Sequence, residues 1–334
     1  MEDRVDKIIN NMLKVNKDNL NRDKIRLLIQ EIKLALHKNK KTLLETYEVD
    51  KKNNNGFMID YDIIDKIFDN VSKEDIYYGD ITLSLKDDDR KLKYGKEILD
   101  IGNVVVINDG NSYAIIEMFL KNIMVGNATL FVNDGYMYGA NQVIVRIFKH
   151  VLEANDMSTD LVNIFVTEDY DKVLDNFANI NLVVCIGNHE LQKLVLDKSK
   201  NKVITSGYEH YDLYIEDDSH KELIDKIIGT GLDINVYLKE GINLDYPNTT
   251  YVMDIEHAIG EINYNGSGYS VAIFTSSTKN AHKFITEVKS KIVTVNTSPT
   301  VERVLDIKVT DLVNEKTVIY PDSLKIDGNS YNVK

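Results

Sequence analysis

The residues that could carry catalysis in this sequence are few, and their spacing does not favour it. Cys185 is the only cysteine, so a thiolate nucleophile could come from a single position. It lies inside the apolar run 182–186 (LVVCI), which predicts a buried strand where a thiol behaves as a small hydrophobic group. A single cysteine also excludes an intramolecular disulfide and a multi-cysteine zinc site. We therefore favour a structural role for Cys185.

Metal and serine chemistry lack a supporting pattern as well. Seven histidines are scattered along the chain, and no two have the i, i+4 spacing of a helical metal motif. His210 and His220 stand near several acidic residues, but such acids are more typical of solvated loops and first helical turns. No Gly-x-Ser-x-Gly nucleophile elbow occurs. We predict no metal site and assign no catalytic residue.

Polar turns after the predicted strands are the best candidates for ligand binding. The sequence has no Gly-x-Gly-x-x-Gly and no Walker motif to cradle a phosphate. In a doubly wound sheet, however, the ligand crevice lies at the carboxyl ends of the strands. If a nucleotide cofactor binds there, the candidate contacts are the polar and glycine residues of these turns: Asn108, Asn111, Asn133, Asp134, Gly187 and Asn188. The alternative is that βα turns favour these residue types for backbone reasons alone.

These turns belong to an alternating pattern of strands and helices. Short apolar runs such as 104–107 and 182–186 alternate with helical segments from about residue 102 to 214. Each gap between runs holds one helix, as the crossover between parallel strands requires. The pattern predicts an α/β fold with a doubly wound parallel Rossmann-type sheet, followed by a second, reduced α/β domain.

We expect five segments along the chain. The apolar residues before residue 80 have helical spacing, whereas Ile81, Leu83 and Leu85 alternate with polar residues, as in an amphipathic hairpin. The predicted segments are N-terminal helices (1–80), a hairpin (81–99), a Rossmann-like domain (100–215), a second, reduced α/β domain (216–300) and a tail (301–334) with a second hairpin at 324–334. Because an exposed strand edge is usually paired or covered, we expect a homo-oligomer.

Composition excludes several classes of partner. The chain has 334 residues, with 53 acidic against 40 basic side chains and a formal net charge of −13. That charge disfavours nucleic acid and anionic membrane surfaces, which are themselves negative. No apolar stretch is long enough to span a bilayer, and the N-terminal residues mix charges with isolated apolar side chains, unlike a signal peptide. We expect a cytoplasmic protein.

Several motifs resemble one known family. The most specific is Gly266-Ser267-Gly268-Tyr269-Ser270 (GSGYS), which follows a helix containing Ala258-Ile259 and Ile262-Asn263 and precedes a segment that ends in Val295-Asn296. Gly126-Asn127 and the segment 202–218 (KVITSGYEHYDLYIEDD) agree as well. From about residue 20 to 300 the chain resembles gamma-glutamyl phosphate reductase (glutamate-5-semialdehyde dehydrogenase) of the aldehyde dehydrogenase superfamily. The resemblance implies a cofactor domain, a catalytic domain and an oligomerisation flap at the first hairpin.

The departures from that family concern its chemistry. The resemblance implies a cysteine thiolate after 202–218 and hydride from NADPH, but no cysteine follows position 185 and several dozen residues of that region are missing. Asn133-Asp134 occupy the turn where the family has a lysine for the cofactor ribose. Asn111 lies near the position of the oxyanion-holding asparagine, without the proline that follows it in the family.

We therefore expect the fold to be kept and the chemistry lost. The first hypothesis is a pseudoenzyme with an assembly or ligand-sensing role, a vestigial cofactor crevice, no bound cofactor and a doubtful small-molecule substrate. The second is a divergent, active NAD(P)-dependent aldehyde dehydrogenase or acyl-phosphate reductase that uses NADP or NAD. The third is a structural subunit assembled through its two hairpins.

Overall fold

The chain forms two compact units, each with its own parallel sheet. In this computed structural model the described residues are 2–17, 20–54, 59–84, 92–108, 110–133, 135, 137–167, 169–187, 189–206, 210–229, 233–266, 268–299 and 307–321. The first unit comprises Met1–Ile186, Lys193–Thr205 and Asp306–Lys334, and the second comprises Gly187–Gln192 and Ser206–Leu305. The five-part division made from the sequence stays a prediction.

The first unit begins with helices and an antiparallel strand pair. The elements are α1 (Glu2–Met12), α2 (Arg22–Lys38), α3 (Lys40–Asn54), α4 (Tyr61–Glu74), β1 (Ile81–Ser84) and β2 (Leu92–Asp100). Asn21 starts α2 by accepting a hydrogen bond from the Lys24 backbone N–H at 3.0 Å, as an N-cap asparagine does. β1 and β2 pair as the predicted hairpin does, although the turn between them lies outside the described residues.

A five-stranded parallel sheet forms the centre of the first unit. Its elements are β3 (Asn103–Asn108), α5 (Ser112–Met124), β4 (Ala128–Asn133), α6 (Tyr138–Ala154), β5 (Val162–Val166), α7 (Asp171–Leu174), β6 (Leu182–Ile186), α8 (His189–Lys198) and β7 (Val203–Ser206). The strand order is β5-β4-β3-β6-β7, so the chain reverses direction across the sheet between β3 and β6. This doubly wound α/β arrangement confirms the predicted fold class.

The second unit repeats the same plan. Its elements are β8 (His210–Ile215), α9 (Lys221–Ile228), β9 (Asp233–Lys239), β10 (Thr249–Val252), α10 (Ile255–Asn265), β11 (Ser270–Phe274), α11 (Thr278–Glu287) and β12 (Ile292–Val295). The strands are parallel in the order β10-β9-β8-β11-β12, with the reversal between β8 and β11. β8 pairs with β9 and β11, so it belongs to this sheet.

The last described segment returns to the first unit. β13 (Val313–Pro321) pairs antiparallel with the whole of β2 and forms the outer edge of a three-stranded sheet. Three contacts fix the residues before it: Lys121 Nζ donates to the Ile307 carbonyl at 2.5 Å, Glu74 accepts from the Val309 N–H, and Asn127 donates to the Leu312 carbonyl. The hairpin predicted at 324–334 lies outside the described residues.

Among the residues that the structure describes, no helix has both the length and the apolar character needed to cross a bilayer.

Candidate functional site

Three of the predicted crevice residues lie together at the carboxyl ends of β3 and β4. Asn108 ends β3, and its Oδ1 accepts a hydrogen bond from the Gly110 N–H at 2.9 Å. Gly110 has φ +89°, a left-handed conformation that favours glycine, and its carbonyl accepts from Asn141 Nδ2 at 2.8 Å. These contacts fix the turn that leads into α5.

Asn111 is committed to the start of that helix. Its Oδ1 accepts hydrogen bonds from the Tyr113 N–H at 2.9 Å and the Ala114 N–H at 3.4 Å, which makes it the N-cap of α5. The side chain is buried, at 6% exposure. An oxygen that caps a helix is already used for two donors, and it is the amide nitrogen that would have to contact a ligand.

The neighbouring helix is capped by a residue that the sequence did not suggest. The carboxylate of Asp50, on α3, accepts from the Ala140 N–H at 2.8 Å and from the Gly139 N–H at 3.3 Å. The side chain of Asp50 therefore occupies the N-terminal end of α6, where the free N–H groups and the helix dipole favour an anion. A phosphate group approaching this end would meet a carboxylate. Sequence gives no signal for this contact, because the partners lie about 90 positions apart.

Asn133, at the end of β4, differs from its neighbours in the hydrogen bonding of its side chain. It is fully buried, and neither its Nδ2 nor its Oδ1 has a hydrogen-bond partner within the described part of the chain. The Nδ2 of Asn108 is in the same condition. Asp134 and Asn188 lie outside the described residues, so the structure does not test those two predictions.

The last predicted contact, Gly187, belongs to the second unit. Its N–H donates to the Ser206 carbonyl at 3.1 Å, and its carbonyl accepts from Gln192 Nε2 at 2.7 Å. Both backbone groups of Gly187 are thus used within the unit. The assignment of all six residues to a cofactor crevice stays a prediction.

Cys185 lies on β6, an interior strand of the first sheet. It is fully buried, as are the other four residues of β6, and it stands opposite Ile107 of β3. A nucleophilic cysteine needs a partly open, electropositive site, and this thiol has no exposed surface. The sequence-based interpretation of Cys185 as a core residue agrees with this position.

The carboxyl edge of the second sheet holds two acidic residues with many donors. Asp217, after β8, accepts from the Ser276 N–H at 2.6 Å, the Ser276 hydroxyl at 2.7 Å and the Ser219 N–H at 3.1 Å. Burial disfavours its charge, but the hydrogen bonds from Ser219 and Ser276 outweigh burial and lower the pKa of Asp217 to about 2. Asp217 is therefore a fixed anion that ties the two strand ends together.

Glu216 is held in a similar way. It is largely buried, accepts hydrogen bonds from the Thr275 hydroxyl and from Asn280 Nδ2 (2.6 Å), and lies 3.6 Å from Lys239 Nζ. Within the ranges that the structure describes, no three His, Cys, Asp or Glu side chains are grouped as a metal site would need. His220 instead contacts the Ser219 hydroxyl through Nδ1 at 2.8 Å.

Comparison with solved structures defines the fold. A probable aldehyde dehydrogenase from Listeria monocytogenes matches 95% of this chain and 96% of its own, with a TM-score of 0.72 and 11% identity. A glyceraldehyde-3-phosphate dehydrogenase from Methanocaldococcus jannaschii, complexed with NADP, matches 96% of this chain and 94% of its own, with a TM-score of 0.72 and 12% identity. The chain has the fold of the aldehyde dehydrogenase superfamily.

The relatives found by sequence similarity point to one enzyme within this fold. Gamma-glutamyl phosphate reductase from Dictyoglomus turgidum is 25% identical over 170 residues, which are 50% of this chain and 40% of the relative. The Kosmotoga olearia enzyme is 19% identical over 262 residues, 62% of this chain and 63% of the relative. The Thermotoga maritima structure of the same enzyme matches 98% of this chain and 99% of its own, with a TM-score of 0.62 and 15% identity. The predicted resemblance to gamma-glutamyl phosphate reductase is confirmed.

The sequence match covers part of these relatives. In sequence, the chain spans 40% and 63% of the lengths of these two curated relatives. No protein-family model matches it.

Proposed function

We propose that the protein is a pseudoenzyme: an aldehyde-dehydrogenase fold that has lost its thiol chemistry and serves in assembly or ligand sensing. The position of Cys185 carries this proposal, because the sole thiol of the chain is fully buried within β6. Between β8 and β9, where the resemblance implies a thiolate, the described chain has the single eight-residue helix α9. Loss of a nucleophile typically costs several orders of magnitude in rate.

The first unit also supports weak or absent cofactor binding. The carboxylate of Asp50 occupies the start of α6, and the side-chain oxygen of Asn111 occupies the start of α5. A dinucleotide phosphate near α6 would be repelled by Asp50, and the net charge of −13 adds to this. We propose that no nicotinamide cofactor is bound under ordinary conditions, in a protein that resides in the cytoplasm.

The deciding experiment is an assay with purified protein. NADPH or NADH oxidation is followed with gamma-glutamyl phosphate, and reduction of NADP or NAD is followed with glutamate-5-semialdehyde and short aldehydes. We expect no turnover above the rate of the Cys185→Ser variant. Turnover that disappears in Cys185→Ser, while circular dichroism shows an intact fold, would reject the pseudoenzyme.

That outcome would favour the second candidate, a divergent active NAD(P)-dependent reductase. One observation speaks for it: a structural neighbour with a TM-score of 0.72 is complexed with NADP. If this chain is active, NADP or NAD is the cofactor that its fold suits.

A role in assembly is supported by the three-stranded sheet. β13 is a nine-residue edge strand whose side chains are mostly exposed, including Ile319 at 54%. Long edges of this kind invite pairing with another strand. We propose that a second copy of the chain covers this sheet, so that the protein is a homo-oligomer. A purely structural subunit would need a contact of the same kind.

A further inference from the structure

Lys149 is a partly buried lysine without a carboxylate partner. Its Nζ donates a hydrogen bond to the neutral amide oxygen Oδ1 of Asn163, at 2.7 Å. Among the residues that the structure describes, no acidic side chain forms an ion pair with Lys149. Every other described lysine that is not exposed forms an ion pair with an acid: Lys17 with Asp100, Lys33 with Asp65, Lys121 with Glu117, Lys172 with Asp169, Lys239 with Glu216 and Lys283 with Glu256.

The surroundings of this amine disfavour its charged form. Lys149 lies on α6, which packs on β5, and Asn163 is a β5 residue with 7% exposure. The Nδ2 of Asn163 donates to the Asp160 carbonyl at 3.3 Å, and its Oδ1 faces Lys149. Burial lowers the pKa of Lys149, and this effect is larger than the opposing effect of the Asp160 carboxylate. More of this amine is thus neutral at a given pH, and the neutral amine is the nucleophile.

We propose that Lys149 is a site of covalent acylation by activated acyl donors, which carry the acyl group on a phosphate or on a thiol. The neutral Nζ attacks the acyl carbon, so that a C–N bond forms and the bond from that carbon to the phosphate oxygen or the thiol sulfur breaks. The phosphate or thiolate leaves with the electron pair, and the nitrogen loses one proton to water. The side chain of Lys149 is partly exposed, which gives a donor access to it.

The product of this reaction suits the site. An acylated lysine is a neutral amide that keeps one N–H, and this N–H can donate to the Oδ1 of Asn163 as the amine does. Acylation therefore removes a partly buried charge without removing the hydrogen bond. Because a neutral, hydrogen-bonded group costs less to bury than an unpaired charge, we expect the folded state to be kept.

Competitive labelling of the native protein tests the proposal. Purified protein is treated briefly with acetyl phosphate or, in a separate arm, with acetyl-coenzyme A, and acetylation at each lysine is quantified by peptide mass spectrometry. Lys33 and Lys172 are matched controls, because their side chains are 32% and 28% exposed and each lies 3.1 Å from a carboxylate. At about pH 8 we expect Lys149 to be acetylated at least about threefold faster than either control, since lowering a pKa by one unit makes the neutral amine about ten times more abundant. A preference in one arm supports the site and identifies the donor, whereas equal rates in both arms overturn the proposal.

The pH dependence separates the protonation of the amine from its accessibility. The preference for Lys149 should shrink as the pH rises from about 8 toward about 10.5, where ordinary lysines also lose their proton. A preference that stays constant over this range comes from access alone and overturns the proposal.

Asn163→Asp gives a second test, because it places a carboxylate against the amine at nearly the same side-chain volume. Labelling of Lys149 should then fall to the rates of the two controls, while circular dichroism checks the fold. Unchanged labelling in a folded Asn163→Asp variant would show that the neutral partner is irrelevant, and the proposal would be wrong. The pH profile of the wild-type protein decides the proposal if the variant does not fold.

Discussion

Replacing Lys121 with methionine tests the buried charge cluster that anchors the end of the described chain. Lys121, on α5, is 3% exposed. Its Nζ lies 2.8 Å from Glu117 Oε1 and 3.4 Å from Glu74 Oε1, and it donates to the Ile307 carbonyl at 2.5 Å. Methionine keeps the side chain to within one atom of its length and removes the charge. The change leaves the carboxylate of Glu117, at 5% exposure, in the interior without its cation.

The expected loss follows from that burial. Breaking a buried ion pair by removing one partner costs about 3–5 kcal/mol, because the remaining charge is desolvated without compensation. The free energy of unfolding of a natural protein is about 5–15 kcal/mol, so a loss of this size is a large share of it. Lys316→Met is the matched control, because Lys316 pairs with Glu97 at 3.4 Å but its side chain is 63% exposed. Exposed pairs contribute about 1 kcal/mol or less.

Two measurements check the prediction. Urea unfolding followed by tyrosine fluorescence gives the stability, since the chain has 19 tyrosines and no tryptophan. Hydrogen exchange by mass spectrometry should show faster exchange in β13, because the contact with Ile307 anchors the segment that precedes it. Adding Glu117→Gln to Lys121→Met should recover part of the loss, because the stranded charge is then removed. The reasoning is refuted if Lys121→Met costs no more than Lys316→Met and leaves β13 protected.

Four further predictions address the thiol, the second sheet, assembly and the cofactor. A bulky thiol reagent should modify Cys185 only after unfolding, and rapid labelling of the native protein would contradict its burial. Because the folded pKa of Asp217 is about 2 and its ordinary value is 3.8, its contribution is complete above about pH 5 and lost as pH falls toward 2. The difference in melting temperature between wild type and Asp217→Asn should therefore shrink as the pH falls over that range. A difference that stays constant would contradict this prediction. Light scattering at roughly 10–50 μM should show a dimer or larger species, since weak interfaces associate in that range; a strict monomer would count against assembly. NADPH at about 1 mM should not raise the melting temperature, whereas a ligand at 100 times its Kd would add about 2.7 kcal/mol.

The sequence predicts the continuously apolar strands of the fold well, and its polar or exposed strands poorly. β3 and β6 match the apolar runs 104–107 and 182–186 to within a residue or two, because strands covered on both faces are continuously apolar. β8, β10 and β13 were not predicted. β10 and β13 are edge strands, on which burial imposes little pattern, and the buried β8 (HYDLYI) is interrupted by polar residues. Between β5 and β6 the chain forms only the four-residue α7 and a 3₁₀ turn at Phe177–Asn179.

The candidate site was predictable only where its contacts are local. Asn111 caps the helix that begins one residue later, which is a short-range pattern. Asp50 contacts Ala140 across about 90 positions, and nothing near Asp50 in sequence indicates that partner. Whether Asn133 finds a hydrogen-bond partner depends on the register of β4 against β3, which only the folded sheet defines.

The use of the polar groups at the strand ends explains why we favour binding or assembly over catalysis. A general base near neutral pH needs a pKa near 7 and a free acceptor atom. Asp217 has a pKa of about 2 and holds Ser219 and Ser276, while Asp50 caps α6. The amides of Asn108 and Asn133 retain unused hydrogen-bonding capacity, but a neutral amide neither attacks a carbonyl nor carries a proton at pH 7. Within the described chain, the charged groups of these two edges are engaged in contacts that stabilise the fold, and the inaccessible amides offer no group that could carry out acid–base or nucleophilic chemistry.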